Sequence, residues 1–193
     1  MFLLKKRPNE RRGTIERLYG AIVAQARNPY FYAQLKAPDT VEGRFDLVVL
    51  HLFLVNERLA ALGDDGKTLA QELLDFFFED MDASLREIGI GDLSVPKKMR
   101  SLAEAYLGRS GVYQAALAAA DREALAAALS KNIYGGEAAT AQLRALAGYA
   151  QDAFDAVKQA PLEVFLAAEP PFPDPEMSAS QTNASQTSTS NVR

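Results

Sequence analysis

Apolar residues recur at helical spacing along most of this chain, and the rhythm stops at prolines, glycines and capping side chains. From Thr14, an expected N-cap, Ile15, Leu18, Tyr19, Ile22, Val23 and Ala26 fall on one side of a helix reaching Arg27. Pro29 and Pro38 bracket three consecutive aromatics, Tyr30, Phe31 and Tyr32, which predict a short helical turn with its aromatic side inward. Val41 to Leu62 is apolar on nearly every face through LVVLHLFLV, the pattern of a helix surrounded by others. Gly63 and the DDG turn are expected to end it.

KTLAQELLDFFFEDMDASLREI predicts the next helix, with Gly89 as its C′ residue. Ser94 and Pro96 open a helix from Val95 toward Leu117, and Asp121 can cap DREALAAALSKN. A helix from Glu137 to Gln159 follows Gly135 and Gly136, and one more turn, LEVFLAAE, follows Pro161. No stretch alternates with period two between turn signals, so the expected class is all-α, a single domain of six or seven helices around the central apolar one. The expected organisation is a basic arm over 1–13, a helical domain over 14–168, and a Pro-rich linker with a disordered Ser/Thr/Gln/Asn tail over 169–193.

Composition narrows the chemistry. With no cysteine, disulfides, iron–sulfur clusters and thiolate zinc sites are impossible, and the single histidine, His51, cannot supply a bis-histidine haem site. His51 lies inside LVVLHLFLV, which suits a core residue better than a triad member. No cofactor is expected. The apolar start after Met1 is too short for a signal peptide, and LVVLHLFLV falls well short of the roughly 20 residues that span a bilayer. A cytoplasmic protein is the expectation, with contact at the inner face of the cytoplasmic membrane. The net charge is −4, yet residues 1–13 hold five cations, Lys5, Lys6, Arg7, Arg11 and Arg12, against Glu10. That basic arm can touch anionic lipid or RNA as well as remain solvated.

Two acidic patterns share one helix. Glu72, Asp75, Glu79 and Asp82 lie on a common face opposite Leu69, Leu73, Phe76, Phe77 and Met81, which reads as a solvated face or as a docking surface. Asp80 instead falls inside the apolar arc and needs a partner. Arg44, His51 and Arg58, which recur every seven residues along the central helix, and Lys97 and Lys98 are the candidates, and Asp80, Arg44 and His51 are expected to form a buried polar cluster. FFFEDMD is also similar to the aspartate-rich motifs with which helical isoprenoid synthases hold magnesium and diphosphate. That chemistry needs a second acidic motif facing the first, and none is visible.

The first turn after Ser94 carries Lys97, Lys98 and Arg100, where the helix dipole already disfavours positive charge. On a helical wheel Val95, Met99, Leu102, Tyr106 and Tyr113 form the buried side, Lys97 and Arg100 point away, and Lys98 shares a flank with Arg109. Either an anionic partner or the acidic helix of the same domain would account for the charge. Lys97, Lys98, Arg100 and Arg109, with Glu79 and Asp82, are therefore the expected partner-binding residues.

RFDLVVLHLFLVNERL and FFFEDMDASLREIGIGDLSVPKKMRSLAEAYLGR resemble the ubiquinol-cytochrome c chaperone family, the assembly factors of the cytochrome bc1 complex. GDLSVPKKMRSLAEAYLGR is the most specific part of the likeness. The resemblance covers about residues 15–135, and the short chain without a targeting segment suggests a bacterial member. It implies a non-enzymatic helical protein that binds newly made cytochrome b or other bc1 subunits. Mitochondrial relatives also act at the ribosome with a small partner subunit, so ribosome contact is a further expectation, and DNA is not. A magnesium-dependent isoprenoid-diphosphate enzyme is the alternative.

Overall fold

A computed structural model describes residues 8–178 of the chain, which form eight helices and, among those residues, no strand. They are α1 (Pro8–Ala26), α2 (Pro29–Ala33), α3 (Val41–Ala60), α4 (Gly63–Glu87), α5 (Val95–Ala118), α6 (Arg122–Ile133), α7 (Thr140–Gln159) and α8 (Leu162–Leu166). The two five-residue helices, α2 and α8, are the expected turns. The fold is all-α, as the periodicity predicts.

The apolar run places α3 at the centre, against α1, α4, α5, α6 and α7. From Leu47 to Val55 every residue is buried, and that uninterrupted burial is what a helix apolar on all faces requires. Thr40 caps α3 by accepting a hydrogen bond from the Gly43 amide at 3.1 Å. Asp121 caps α6 through the Ala124 amide at 2.9 Å, as its position predicts. Phe31 is fully buried, with Tyr30 and Tyr32 packed at the edge of the core, so the aromatic turn does face inward.

Three boundaries differ from the periodicity. α1 begins at Pro8 rather than at Thr14, and the Thr14 hydroxyl donates back to the Glu10 carbonyl at 3.0 Å inside the helix. Proline at the first helical position loses no intrahelical bond. The extra turns are held from outside, because Arg11 pairs with Glu72 and Arg12 with Glu79 of α4. Lys5, Lys6 and Arg7 lie outside the described residues, as does the tail over 179–193.

DDG opens α4 instead of closing α3, setting Asp64 and Asp65 in the first turn where the dipole favours acids. Gly66 permits this sharp elbow, since a Cβ there would lie 2.3 Å from the Leu59 carbonyl oxygen. α7 starts at Thr140, after a non-helical stretch that includes Glu137.

α4 ends as predicted at Gly89, whose φ of +86° closes the helix. The Ile90 amide returns to the Leu85 carbonyl and the Gly89 amide to that of Arg86, both at 3.0 Å. The turn into α5 is thereby fixed. At the other end of the chain the Pro-rich stretch packs on the body. Phe172 packs edge-on against His51, with the ring centroids 5.1 Å apart, and Pro175 and Ser178 are buried.

Candidate functional site

His51 sits at the most enclosed point of α3, with no exposed surface. Its Nδ1 lies 2.7 Å from the Leu47 carbonyl and its Nε2 2.7 Å from the Tyr149 hydroxyl of α7. A carbonyl can only accept, so Nδ1 carries the proton and Nε2 accepts from Tyr149. Gln25 of α1 then donates to the Tyr149 oxygen at 2.9 Å and to the Pro173 carbonyl at 3.0 Å. Every polar atom of the ring is satisfied in the neutral form. Burial accordingly lowers the histidine pKa to about 4.

Asp80 is half-buried and accepts from the Tyr19 hydroxyl of α1 at 2.8 Å. Among the described residues no basic side chain pairs with it, and Arg58 donates instead to the Ala160 carbonyl at 2.9 Å. Arg44 is exposed and bonds Asp39 at 2.7 Å, next to its own helix start. Asp80, Arg44 and His51 thus turn to three different partners and do not meet in one cluster. The reason is geometric: the arc holding Asp80 faces α1, whose Tyr19 and Arg12 cover Phe76.

Among the described residues the buried carboxylate is Asp46, on the first turns of α3 and only 5% exposed. Arg109 of α5 reaches it at 2.7 Å and lays its guanidinium over the Phe45 ring, 5.6 Å from the centroid. Burial pushes the Asp46 carboxyl up to about 7, against the pull of Arg109 and with a small push from Glu42. Tyr113, one turn along α5, is raised to about 12, again chiefly by burial.

Arg109 is consequently not part of an outward cationic surface. Reversing it to glutamate would set two carboxylates face to face in the interior. Two side-chain hydrogen bonds accompany this pair along the α3–α5 seam. Asn56 donates to the Tyr106 hydroxyl at 3.2 Å and Gln114 to Glu57 at 2.9 Å. α5 is therefore fastened to the central helix by side-chain hydrogen bonds as well as by apolar packing.

The acidic face of α4 does not neutralise the start of α5. Glu72 and Glu79 go to Arg11 and Arg12, Asp75 accepts from Gln71 at 2.7 Å, and Asp82 is held by Arg86 at 2.6 Å. Arg86 also takes Asp92 at 2.5 Å. Lys97, Lys98 and Arg100 are exposed and have no ion-pair partner among the described residues. Among the described residues, four of the six large hydrophobic residues most exposed to solvent lie on or just before this helix: Ile88, Leu93, Leu107 and Val112. Among the described residues, no group of three or more acidic or histidine side chains converges as a metal site would require.

The protein family model for the ubiquinol-cytochrome C chaperone matches residues 33–172, well over half of the chain. The chain belongs to that family. Its structure is similar to the crystal structure of the Cbp3 homolog from Brucella abortus, with a TM-score of 0.80 and 39% identity over 90% of this chain and 96% of that one. It is also similar to the ubiquinol-cytochrome-c reductase complex assembly factor 1 of Xenopus laevis, 26% identical over 117 residues. That match takes in 61% of this chain and spans 58% of the length of the frog relative.

The family match runs through α3, α4 and α5, and so contains both the Asp46–Arg109 pair and the exposed start of α5. Asp46 is the residue that the helical wheel passes over. One signal did point to it: it directly precedes the unbroken apolar run Leu47–Val55 of a helix surrounded by others, where a charge is buried and needs a partner.

Proposed function

We propose that the protein is a non-enzymatic assembly chaperone for the cytochrome bc1 complex and that its client is newly synthesised cytochrome b. The observation that carries this reading is the exposed apolar surface of α5. Leu107 is 68% and Val112 50% exposed, on a helix whose outward side between them holds only Gly108 and Gly111. A soluble domain gains nothing from leaving such residues uncovered, whereas a chaperone for a membrane protein needs a place for apolar helices to rest. Membership of the chaperone family supports the same reading.

The enzyme alternative has less to support it. Glu79, Asp80 and Asp82 of FFFEDMD are drawn to Arg12, Tyr19 and Arg86 respectively, three directions rather than one centre.

The test is a deletion strain combined with a pull-down. Loss of the protein should lower cytochrome b and bc1 while other respiratory complexes stay at their normal level, and bc1 subunits should copurify with the tagged chain. Leu107→Asp and Val112→Asp should weaken that copurification with little effect on folding, since both side chains already face water. Normal cytochrome b in the deletion strain would overturn the proposal.

A further inference from the structure

We propose that the α4–α5 turn and the first turn of α5 form a docking tip for an anionic lipid bilayer. Leu93, 99% exposed, and Ile88, 67% exposed, stand on a turn whose path is fixed by the Gly89 closure. Immediately after them come Lys97, Lys98 and Arg100, exposed and unpaired among the described residues. The other arginines of this part of the fold are engaged: Arg86 holds Asp82 and Asp92, and Arg109 holds Asp46. Residues 86–100 thus carry four cations against two carboxylates, Glu87 and Asp92, in a chain whose net charge is −4.

Folding does not ask for this arrangement. Two cations in the first turn of a helix, with a third in the second, oppose its dipole, and the Ser94 side chain makes no capping bond there. Cations alone would suit any polyanion. The apolar pair decides between them, because nucleic acid offers phosphates but no apolar receptor for Leu93. The headgroup boundary of a bilayer offers both, with phosphates for Lys97, Lys98 and Arg100 and acyl chains just beneath for Leu93 and Ile88. No described helix is long and apolar enough to cross a membrane, so this contact is peripheral. It does not depend on the identity of the client.

The full chain contains no tryptophan, so Leu93→Trp places a single fluorescent reporter at the tip. Vesicles of equimolar phosphatidylcholine and phosphatidylglycerol should shift its emission to the blue, and vesicles of phosphatidylcholine alone should not. Adding K97E, K98E and R100E to the reporter should weaken binding by about tenfold or more, with helicity unchanged by circular dichroism, and salt should weaken the parent in the same direction. K5E, K6E and R7E should leave the shift in place.

Three results overturn the proposal: no binding to the anionic vesicles, binding with the L93W emission unmoved, or an equal shift with single-stranded RNA in place of vesicles. Purified protein and lipid suffice, so failure here leaves the bc1 reading standing. Absence of cytochrome b from a pull-down likewise leaves this inference standing.

Discussion

Asp46 and His51 lie five positions apart on α3, both buried, and they have been accommodated in opposite ways. His51 is neutral, with each ring nitrogen matched to one partner and aromatic rings of Phe31, Tyr149 and Phe172 around it. Asp46 faces a charged partner from another helix, and the Nε of that arginine is buried without a hydrogen bond among the described residues. A satisfied neutral network holds three elements, α1, α3 and α7, in one arrangement. A charged pair, flanked by side-chain hydrogen bonds and apolar packing, joins α5 to α3. The helix with the exposed apolar surface and the unpaired cations is thus also the one joined to the centre through a titrating contact.

The largest effect should come from breaking that contact. Arg109→Ala leaves Asp46 alone in the interior, and removal of one member of a buried pair costs about 3 kcal/mol or more. The loss should depend on pH. Because burial already raises Asp46 to about 7, the carboxyl is mostly protonated at pH 5 and needs no counter-charge there. Urea unfolding should show the full deficit at pH 8 and about 1 kcal/mol at pH 5, the remainder being packing against Phe45. Replacing both partners with Asp46→Leu and Arg109→Met should recover most of the stability. Equal losses at the two pH values would mean that Asp46 is ionised throughout.

The next effect sharpens the contrast by letting the two sites tilt stability in opposite directions. His51 has its pKa lowered in the fold, so the unfolded chain binds the extra proton, and stability is lost as pH falls from about 6.5 toward 4. Asp46 has its pKa raised, so the folded chain binds the extra proton. Its contribution is full below about 4 and is lost as pH rises toward 7. In the natural chain these trends oppose one another. His51→Leu should leave a curve that falls from pH 4 to 7, and Asp46→Asn one that rises, each by about 2–3 kcal/mol across the interval. Thermal melts of the two variants across that range check the signs independently of absolute stability.

Most of the helices were legible because their ends are chemically marked. Asp121 before α6, Pro96 at the start of α5 and Gly89 after α4 act within one turn of chain, so local reasoning reaches them. The pairing of charges was not legible in the same way. A helical wheel shows that Asp80 leans into an apolar arc, but it cannot show that Tyr19 is what the arc meets. Nor can it show that Arg109, well along the chain from Asp46, turns inward while Lys98 stays in water. The start of α1 failed for the same reason: Arg11 and Arg12 look like a solvated arm until Glu72 and Glu79 are set beside them. The exposed start of α5 was legible because folding alone gives no motive for its charge.

The smallest effect is expected at the far end of α5, where the helix closes on a residue that is not glycine. Ala120 adopts φ of +51°, and the Asp121 amide returns to the Ala116 carbonyl at 2.9 Å in the same closure that Gly89 makes for α4. An L-residue with a Cβ is strained in that conformation by about 1–2 kcal/mol, while glycine is not. Glycine also has more freedom to lose from the unfolded chain, which takes back about 0.5–1 kcal/mol. Ala120→Gly should therefore stabilise the protein by about 0.5–1 kcal/mol, seen as a modest rise in the urea midpoint with unchanged slope. The converse change at Gly89 supplies the control. Gly89→Ala has open space for its Cβ but the same left-handed backbone, so it should cost a similar amount. If the two substitutions moved the midpoint in the same direction, backbone strain would not be what distinguishes the two ends of the α4–α5 unit.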